Sequence, residues 1–201
     1  MKVTVLIVAA GRGVRAGGVR PKQYRSLAGR AILAHAAAAF VNHPGIHQVR
    51  VVIDPDYEPA YRRETKGLAL GPFIAGGASR QESVSLGLDA LLDDPPDLVL
   101  IHDAARPLVD AATIDRVLDA LRDAKGASAG LPLTDTLKRE QDGAAMYGPD
   151  RTGLWRVQTP QGFYYADIVA AHEAAAGAEL TDDAAVAERA GGRFVCGHDV
   201  G

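Results

Sequence analysis

Three apolar runs rich in valine, isoleucine and leucine recur along the chain, at residues 3–8, 49–53 and 98–101. Segments rich in alanine and leucine, with apolar residues at helical spacing, separate these runs. The helices predicted from that spacing are 30–42, 57–66, 79–92 and 111–124, and shorter strands are predicted near 72–75 and 127–131. Buried strands that alternate with helices are typical of a parallel sheet covered on both faces. We therefore predict an α/β fold, doubly wound around a mainly parallel sheet.

Length and composition limit the classes of protein to which the chain can belong. The chain has 201 residues, of which 47% are hydrophobic and 23% charged, which predicts a single domain over 1–201. A formal net charge of -3 gives no general attraction to nucleic acid or to an anionic membrane. The single cysteine, Cys196, excludes an internal disulfide and lies in a segment that resembles a buried strand. The N-terminal apolar run is too short to span a membrane and has no cleavage site, so we expect a cytoplasmic protein without membrane or nucleic-acid partners.

The first apolar run leads into a loop that is suited to binding phosphate. Its glycines, Gly11 and Gly13, let backbone N–H groups approach an anion, and Arg12, Arg15 and Lys22 add cationic donors. The segment lacks the third glycine of a dinucleotide fingerprint, because Ala16 stands at that position, although alanine is tolerated in some such sites. A P-loop is excluded because the chain has no Gly-Lys-Ser/Thr sequence. The loop therefore predicts a nucleotide or sugar-phosphate site, with Arg15 and Lys22 as candidate catalytic residues that stabilise developing negative charge.

Two further motifs follow predicted strands and should meet this loop at the carboxyl edge of the sheet. The motif at Gly76-Gly77 opens a helix, and its backbone N–H groups could contact a base edge, although Ser79 could equally be a plain helix cap. The other motif, at 102–107, contains Asp103, which suits a Mg²⁺ ligand beside a nucleotide. The alternative for Asp103 is a structural ion pair with Arg106. The six histidines show no metal-binding spacing.

The α/β pattern breaks at residues 132–160, which predict a β-hairpin arm that leaves the sheet. An arm of this kind often contacts a partner subunit. Guanidinium groups and hydroxyls can bind a second phosphate, although the sequence alone cannot bring these side chains together. The candidates for that role are Arg106, Thr136, Arg151 and Thr159.

Taken together, these motifs resemble the 2-C-methyl-D-erythritol 4-phosphate cytidylyltransferase family, in order and over nearly the whole chain. The motifs that carry the resemblance are 9–15, 21–24, Gly76-Gly77 with Arg80 and 83–84, 102–107, 135–138 and 151–160. The resemblance implies a Rossmann-like nucleotidyltransferase fold and attack of the substrate's phosphate on the α-phosphate of CTP. It implies transition-state stabilisation by Arg15 and Lys22, a Mg²⁺ ion at Asp103, and a homodimer formed through the 132–160 arm. The positions implied to bind CTP are Ala9, Ala10, Gly11, Arg12, Gly13, Gly77, Ala78, Ser83 and Ala104, and those implied to bind methylerythritol phosphate are Arg106, Thr136, Arg151 and Thr159.

The chain departs from the family pattern at its C-terminal end. The family continues beyond the strand near Phe194 into an Asn-x-Lys-x-Thr segment whose lysine reaches the nucleotide phosphates, whereas this sequence stops at Gly201. A truncated chain and a longer protein, including one fused to the later cyclodiphosphate synthase, are both open explanations. Two functional alternatives also stay open: a ribitol 5-phosphate cytidylyltransferase and a non-catalytic nucleotide-binding domain.

Overall fold

The chain forms a seven-stranded sheet. The computed structural model describes residues 1–11, 21–178, 180–191 and, as backbone, 194–198. The strands of this sheet are β1 (Val3–Ala9), β4 (Gln48–Ile53), β5 (Ile74–Ala75), β6 (Leu98–Asp103), β7 (Gly126–Pro132), β10 (Trp155–Tyr164) and β11 (Phe194–His198). Their order across the sheet is β11-β7-β10-β6-β1-β4-β5. All neighbouring pairs run parallel except those of β10, which is antiparallel to both β6 and β7. The predicted mainly parallel α/β sheet is thereby confirmed.

Helices cover both faces of the sheet, as predicted. They are α1 (Ile32–Val41), α2 (Glu58–Glu64), α3 (Arg80–Asp89), α4 (Ala111–Ala120), α5 (Tyr165–Ala174) and α6 (Asp183–Arg189). Alternate residues of β1 point to opposite faces, so Val5 and Ile7 pack with α1 and α4 in one core, and Leu6 packs with α3 and α5 in the other. No helix in the described ranges is both long and apolar enough to cross a membrane.

Side-chain caps set where three of the helices begin. Ser79, Asp110 and Asp182 precede α3, α4 and α6, and each accepts a hydrogen bond from the backbone N–H three residues further on. Such bonds satisfy N–H groups that have no partner within the helix. The helix predicted over 79–92 thus begins directly after Ser79, and the plain-cap alternative for that serine is correct.

The predicted arm is shorter than 132–160. Residues 155–160 belong to β10, and Trp155 lies directly opposite Pro132 of β7 in the sheet. The part that leaves the sheet is therefore 133–154, which contains the two-stranded hairpin of β8 (Arg139–Gln141) and β9 (Ala144–Met146). Two further short strands, β2 (Ser26–Leu27) and β3 (Arg30–Ala31), pair with each other just before α1. Tyr147, on the arm, is 89% exposed.

Candidate active site

A cleft of about 1080 Å³ opens at the carboxyl ends of β1, β4, β5 and β6. The chain runs from β1 outward to β4 and β5 and then returns to β6 on the other side of β1, so the cleft lies at a topological switch point. Ligands of open α/β sheets bind at such points. The cleft is lined by the three motifs that the sequence predicted to converge: Ala9–Gly11 with Lys22, Gly76–Arg80 with Ser83, and Asp103–Arg106.

Gln23 holds the described end of the phosphate loop in place. Its side chain is buried, and its amide nitrogen donates to the carbonyl oxygens of Ala9 at 2.6 Å and Gly11 at 2.8 Å. Lys22, beside it in a short 3₁₀ turn, is exposed and lines the cleft. The remaining predicted residues of this loop, Arg12, Gly13 and Arg15, lie outside the described residues. The segment 21–24 thus supports the loop through Gln23 and presents one cation to the cleft.

The Gly76-Gly77 motif brings two loops into contact at the cleft floor. A Cβ atom on Gly76 would lie 2.4 Å from the Cβ atom of Ala10, so only glycine fits there without moving a loop. One on Gly77 would lie 2.3 Å from the carboxyl carbon of Glu82, whose side chain would have to move. The N–H of Gly77 donates to the hydroxyl of Ser83 at 3.1 Å, and the N–H of Ala78 donates to Glu82 at 2.7 Å. Both N–H groups already have partners, so contact with a base edge would require those partners to release them.

Asp103 lies between two arginines at the end of β6. Its Oδ1 is 3.1 Å from Nε of Arg80, and its Oδ2 is 3.2 Å from Nε of Arg106. Burial alone would raise the pKa of Asp103, but the two guanidinium groups outweigh that effect and hold it below the ordinary value. The ion pair with Arg106 that the sequence left as an alternative is present, with Arg80 as a second partner. Asp103 is therefore a carboxylate in the cleft whose two oxygens are both in contact with cations.

Beneath Asp103, a chain of hydrogen bonds joins β6 to β10. The buried ring of His102 donates from Nε2 to the carbonyl of Arg106 at 3.0 Å, which leaves Nδ1 to accept from the hydroxyl of Thr159 at 3.0 Å. The same hydroxyl oxygen accepts from the backbone N–H of Asp103 at 3.2 Å. Burial lowers the pKa of His102 to about 4, so the ring is neutral. This network fixes the backbone from which Asp103 and Arg106 project.

The residues of the cleft fit a Mg²⁺ ion for which Asp103 is the protein ligand. Mg²⁺ beside a nucleotide is held by one or two carboxylates, with phosphate and water oxygens as the other ligands. Asp103 is ionised, faces the cleft and is partly exposed, so its carboxylate fits that role when a polyphosphate is bound. The described residues contain no cluster of three or more histidine, cysteine, aspartate or glutamate side chains that could hold a metal without such a ligand.

The structure separates the predicted acceptor residues into three places. Arg106 lines the cleft, and its guanidinium group donates to the side chain of Gln158. Thr136 and Arg151 lie exposed on the arm, where Arg151 donates to the carbonyl of Thr134. Thr159 is only 8% exposed and does not line the cleft, because its hydroxyl bonds to the network under Asp103. The hydroxyl of Thr159 therefore supports the loop of Asp103 and Arg106.

Sequence reasoning gave no role to Gln23, Arg80 or Asp183. The first two stand within motifs that were identified, but nothing in the sequence shows that Gln23 folds back onto Ala9 or that Arg80 contacts two carboxylates. Asp183 begins α6, far along the chain from the cleft, and its Oδ2 lies 2.8 Å from Nη1 of Arg80. Two adjacent acidic residues directly after Thr181 are a helix-start signal, which could have located α6 but not its contact with the cleft.

A cleft at the switch point of an open sheet, lined by Gly11, Lys22 and Asp103, is typical of ligand-binding α/β proteins. Comparison with known proteins identifies the family. The sequence model of the 2-C-methyl-D-erythritol 4-phosphate cytidylyltransferase family matches residues 3–200, so the chain belongs to that family. The bifunctional enzyme IspD/IspF of Paramagnetospirillum magneticum is 57% identical over 190 residues, which are 94% of this chain and 50% of that protein. The protein of the same name from Rhodospirillum rubrum is 57% identical over 192 residues, which are 95% of this chain and 50% of that protein.

Solved structures agree with this family. The 2-C-methyl-D-erythritol 4-phosphate cytidylyltransferase of Thermus thermophilus superposes with a TM-score of 0.83 at 35% identity, over 100% of this chain and 90% of that one. The chain spans about half the length of the curated bifunctional relatives that it matches.

Proposed function

We propose that this chain transfers CMP from CTP to 2-C-methyl-D-erythritol 4-phosphate. The products are 4-diphosphocytidyl-2-C-methyl-D-erythritol and pyrophosphate, in the non-mevalonate route to isoprenoid precursors. The observation that carries the proposal is the convergence of three motifs of the family on one cleft, at the switch point of the sheet. A cytoplasmic location is part of the same proposal.

In the proposed reaction, a phosphate oxygen of the acceptor attacks the α-phosphorus of CTP in line, and the bond to the leaving pyrophosphate breaks. Negative charge accumulates on the phosphoryl oxygens, so catalysis depends on positioning and on nearby cations. Lys22 supplies one such cation at the cleft, and Arg15 is proposed as the second. Ala9–Gly11, continuing through Arg12 and Gly13, would cradle the triphosphate, and Gly77, Ala78, Ser83 and Ala104 would surround the cytidine.

The proposal includes Mg²⁺, which Asp103 would hold together with the phosphates of CTP. The ion would neutralise phosphate charge during transfer. Arg80 and Arg106 each contact one oxygen of Asp103. Binding of the ion would therefore weaken at least one of these contacts. Weakening of the Arg106 contact would make its guanidinium group available to the acceptor phosphate.

Acceptor binding is proposed to involve two subunits. Thr136 and Arg151 lie on the arm and do not line the cleft of their own chain, whereas Arg106 does. The arm also exposes apolar side chains, among them Tyr147 and Met146, which are suited to a contact between subunits. We propose a homodimer in which the arm brings Thr136 and Arg151 to the partner's cleft, while Thr159 supports that cleft from beneath.

Pyrophosphate release by the purified chain with CTP and Mg²⁺ tests the proposed reaction. Methylerythritol 4-phosphate and ribitol 5-phosphate are compared as acceptors, with ATP replacing CTP as the nucleotide control. Release that requires both CTP and methylerythritol phosphate supports the proposal, whereas release with ribitol phosphate reassigns the acceptor. CTP binding without release from either acceptor would instead support a non-catalytic nucleotide-binding domain.

Mixing two inactive variants tests the shared acceptor site. Lys22→Ala and Arg151→Ala subunits are unfolded together and refolded as a mixture, beside each variant refolded alone. If Arg151 acts in the partner's cleft, each mixed dimer contains one site with both residues, and about a quarter of the wild-type rate should return. If Arg151 acts in its own cleft, every site in the mixture lacks one residue, and no activity should return.

A further inference from the structure

Arg80 links the cleft to a buried carboxylate on the other side of the guanidinium group. Its Nε lies 3.1 Å from Oδ1 of Asp103, and its Nη1 lies 2.8 Å from Oδ2 of Asp183. Arg80 is the first residue of α3, and Asp183 is the first residue of α6. One guanidinium group therefore connects the end of β6 with two helices on one face of the sheet.

Asp183 is buried, and its other contacts are hydrogen bonds to His172 and Gln161. Its side chain is 1% exposed, and its Oδ1 lies 3.2 Å from Nε2 of His172, which is also buried. Its backbone N–H and that of Ala184 both donate at 3.1 Å to the side-chain oxygen of Gln161 on β10. Oδ2 is also buried and accepts no hydrogen bond from the described residues, so its contact with Arg80 is an ion pair. These contacts hold Asp183 in the protein interior, where its carboxylate can orient Arg80.

The part of the Arg80 side chain that lines the cleft needs a second contact to keep one conformation. The Arg80 side chain is 32% exposed and has several rotatable bonds, so Asp103, which is equally exposed, could not hold it in one conformation alone. Burial alone would lower the pKa of Arg80, but Asp183 and Asp103 together raise it above the ordinary value, which keeps the guanidinium group charged. A buried ion pair is often no more stabilising than apolar side chains of the same size, so we expect the Arg80–Asp183 pair to contribute orientation more than stability.

We propose that Asp183 is a positioning residue of the nucleotide site, which fixes Arg80 and, through Arg80, the orientation of the Asp103 carboxylate that CTP meets. This inference rests on the proposed function, because it takes CTP as the ligand. Asp183 itself does not line the cleft. Its effect on the nucleotide therefore passes through Arg80.

Calorimetric titration of CTP into the full chain, with Mg²⁺ present, tests the inference on Asp183→Asn. Asparagine keeps the shape and one acceptor oxygen, and Arg80 keeps Asp103 as its partner, so no buried charge is left without a counter-charge. We expect the Kd for CTP to rise about tenfold, the size expected for one weakened charged contact. The matched control is Asp182→Asn, one residue away, which caps α6 and accepts from Gln161. Asparagine also caps helices well, so this control should leave the Kd unchanged.

A double-mutant cycle separates positioning from a structural role. If Asp183 acts through Arg80, then Asp183→Asn should have no further effect on the Kd in an Arg80→Gln background. An equal loss of affinity in both backgrounds, or an unchanged Kd in the single variant, would overturn the inference. Should Asp183→Asn fail to fold, Arg80→Lys provides the test, since lysine can neutralise Asp183 but lacks the fork that contacts both carboxylates. Wild-type affinity in that variant would also overturn it.

The same titration distinguishes failure of the inference from failure of the proposed function. If the wild-type chain does not bind CTP, the proposed function fails and the inference fails with it. If the wild-type chain binds CTP and the Asp183→Asn variant binds it equally well, only the inference fails.

Discussion

Replacement of Thr159 by valine tests whether this hydroxyl supports the fold or contacts the acceptor. Valine keeps the branched shape and removes only the hydroxyl. The change would leave Nδ1 of the buried His102 and the backbone N–H of Asp103 without their present partner. A buried polar group without a partner costs about 1–3 kcal/mol. Because Asp103 is partly exposed and its N–H could find water, we expect a total loss of about 2–4 kcal/mol in the free energy of unfolding.

Urea unfolding measures this loss directly. The midpoint should fall while the slope stays unchanged, because the surface exposed on unfolding is the same. Thermal unfolding should show a melting temperature lower by roughly 5–15 °C for a chain of this size. Thr159→Ser is the matched control, since it keeps the hydroxyl and should recover most of the stability. If Thr159→Val unfolds like the wild type but has a raised KM for the acceptor, the hydroxyl contacts substrate and our reasoning on the network is wrong.

Three other perturbations address the cleft. Lys22→Ala should lower kcat by orders of magnitude with a modest loss of CTP affinity, because transition-state charge is stabilised mainly in the chemical step; an unchanged kcat in pyrophosphate release would remove Lys22 from that role. Gly76→Ala should weaken CTP binding at least tenfold, because the new Cβ would lie 2.4 Å from that of Ala10 and must displace the loop; calorimetry with wild-type affinity would contradict this. His102 takes up a proton near pH 6.5 when unfolded but only near pH 4 when folded, so its contribution to stability is complete above pH 6.5 and is lost as the pH falls toward 4. Between pH 7 and 5 the free energy of unfolding should therefore fall by about 2 kcal/mol more in the wild type than in His102→Gln, and equal pH dependence in urea titrations would refute the assignment.

The sheet and its helices could be predicted because their signals are local. Each predicted strand at 3–8, 49–53 and 98–101 is a short apolar run, and the structure has a strand at each place with bounds shifted by one or two residues. The antiparallel course of β10 was missed because strand pairing joins distant segments. Trp155 and Val157 alternate with polar residues, which indicates a strand but not the strands with which it pairs. The sequence interpretation therefore assigned 155–160 to the arm.

The same distinction applies to the cleft. The three loops were predicted to converge because the carboxyl ends of parallel strands share one edge, and the structure confirms that convergence. What the sequence could not indicate was how polar side chains are shared between loops. Gln23 donates a hydrogen bond back to Ala9, and Arg80 forms ion pairs with both Asp103 and Asp183, through contacts that depend on tertiary packing. The roles of Lys22 and Arg15 stay predictions that the proposed assays test.

Because β7 pairs with β10 where the arm begins and ends, the sheet does not depend on the arm. Pro132 and Trp155 face each other across two antiparallel strands, a geometry that a tight two-residue turn could close. The sheet therefore has no topological need for residues 133–154. Replacing that segment with a short turn should leave a folded domain whose cleft is intact. Such a minimal chain would separate what the cleft does within one subunit from what depends on the proposed contact between subunits.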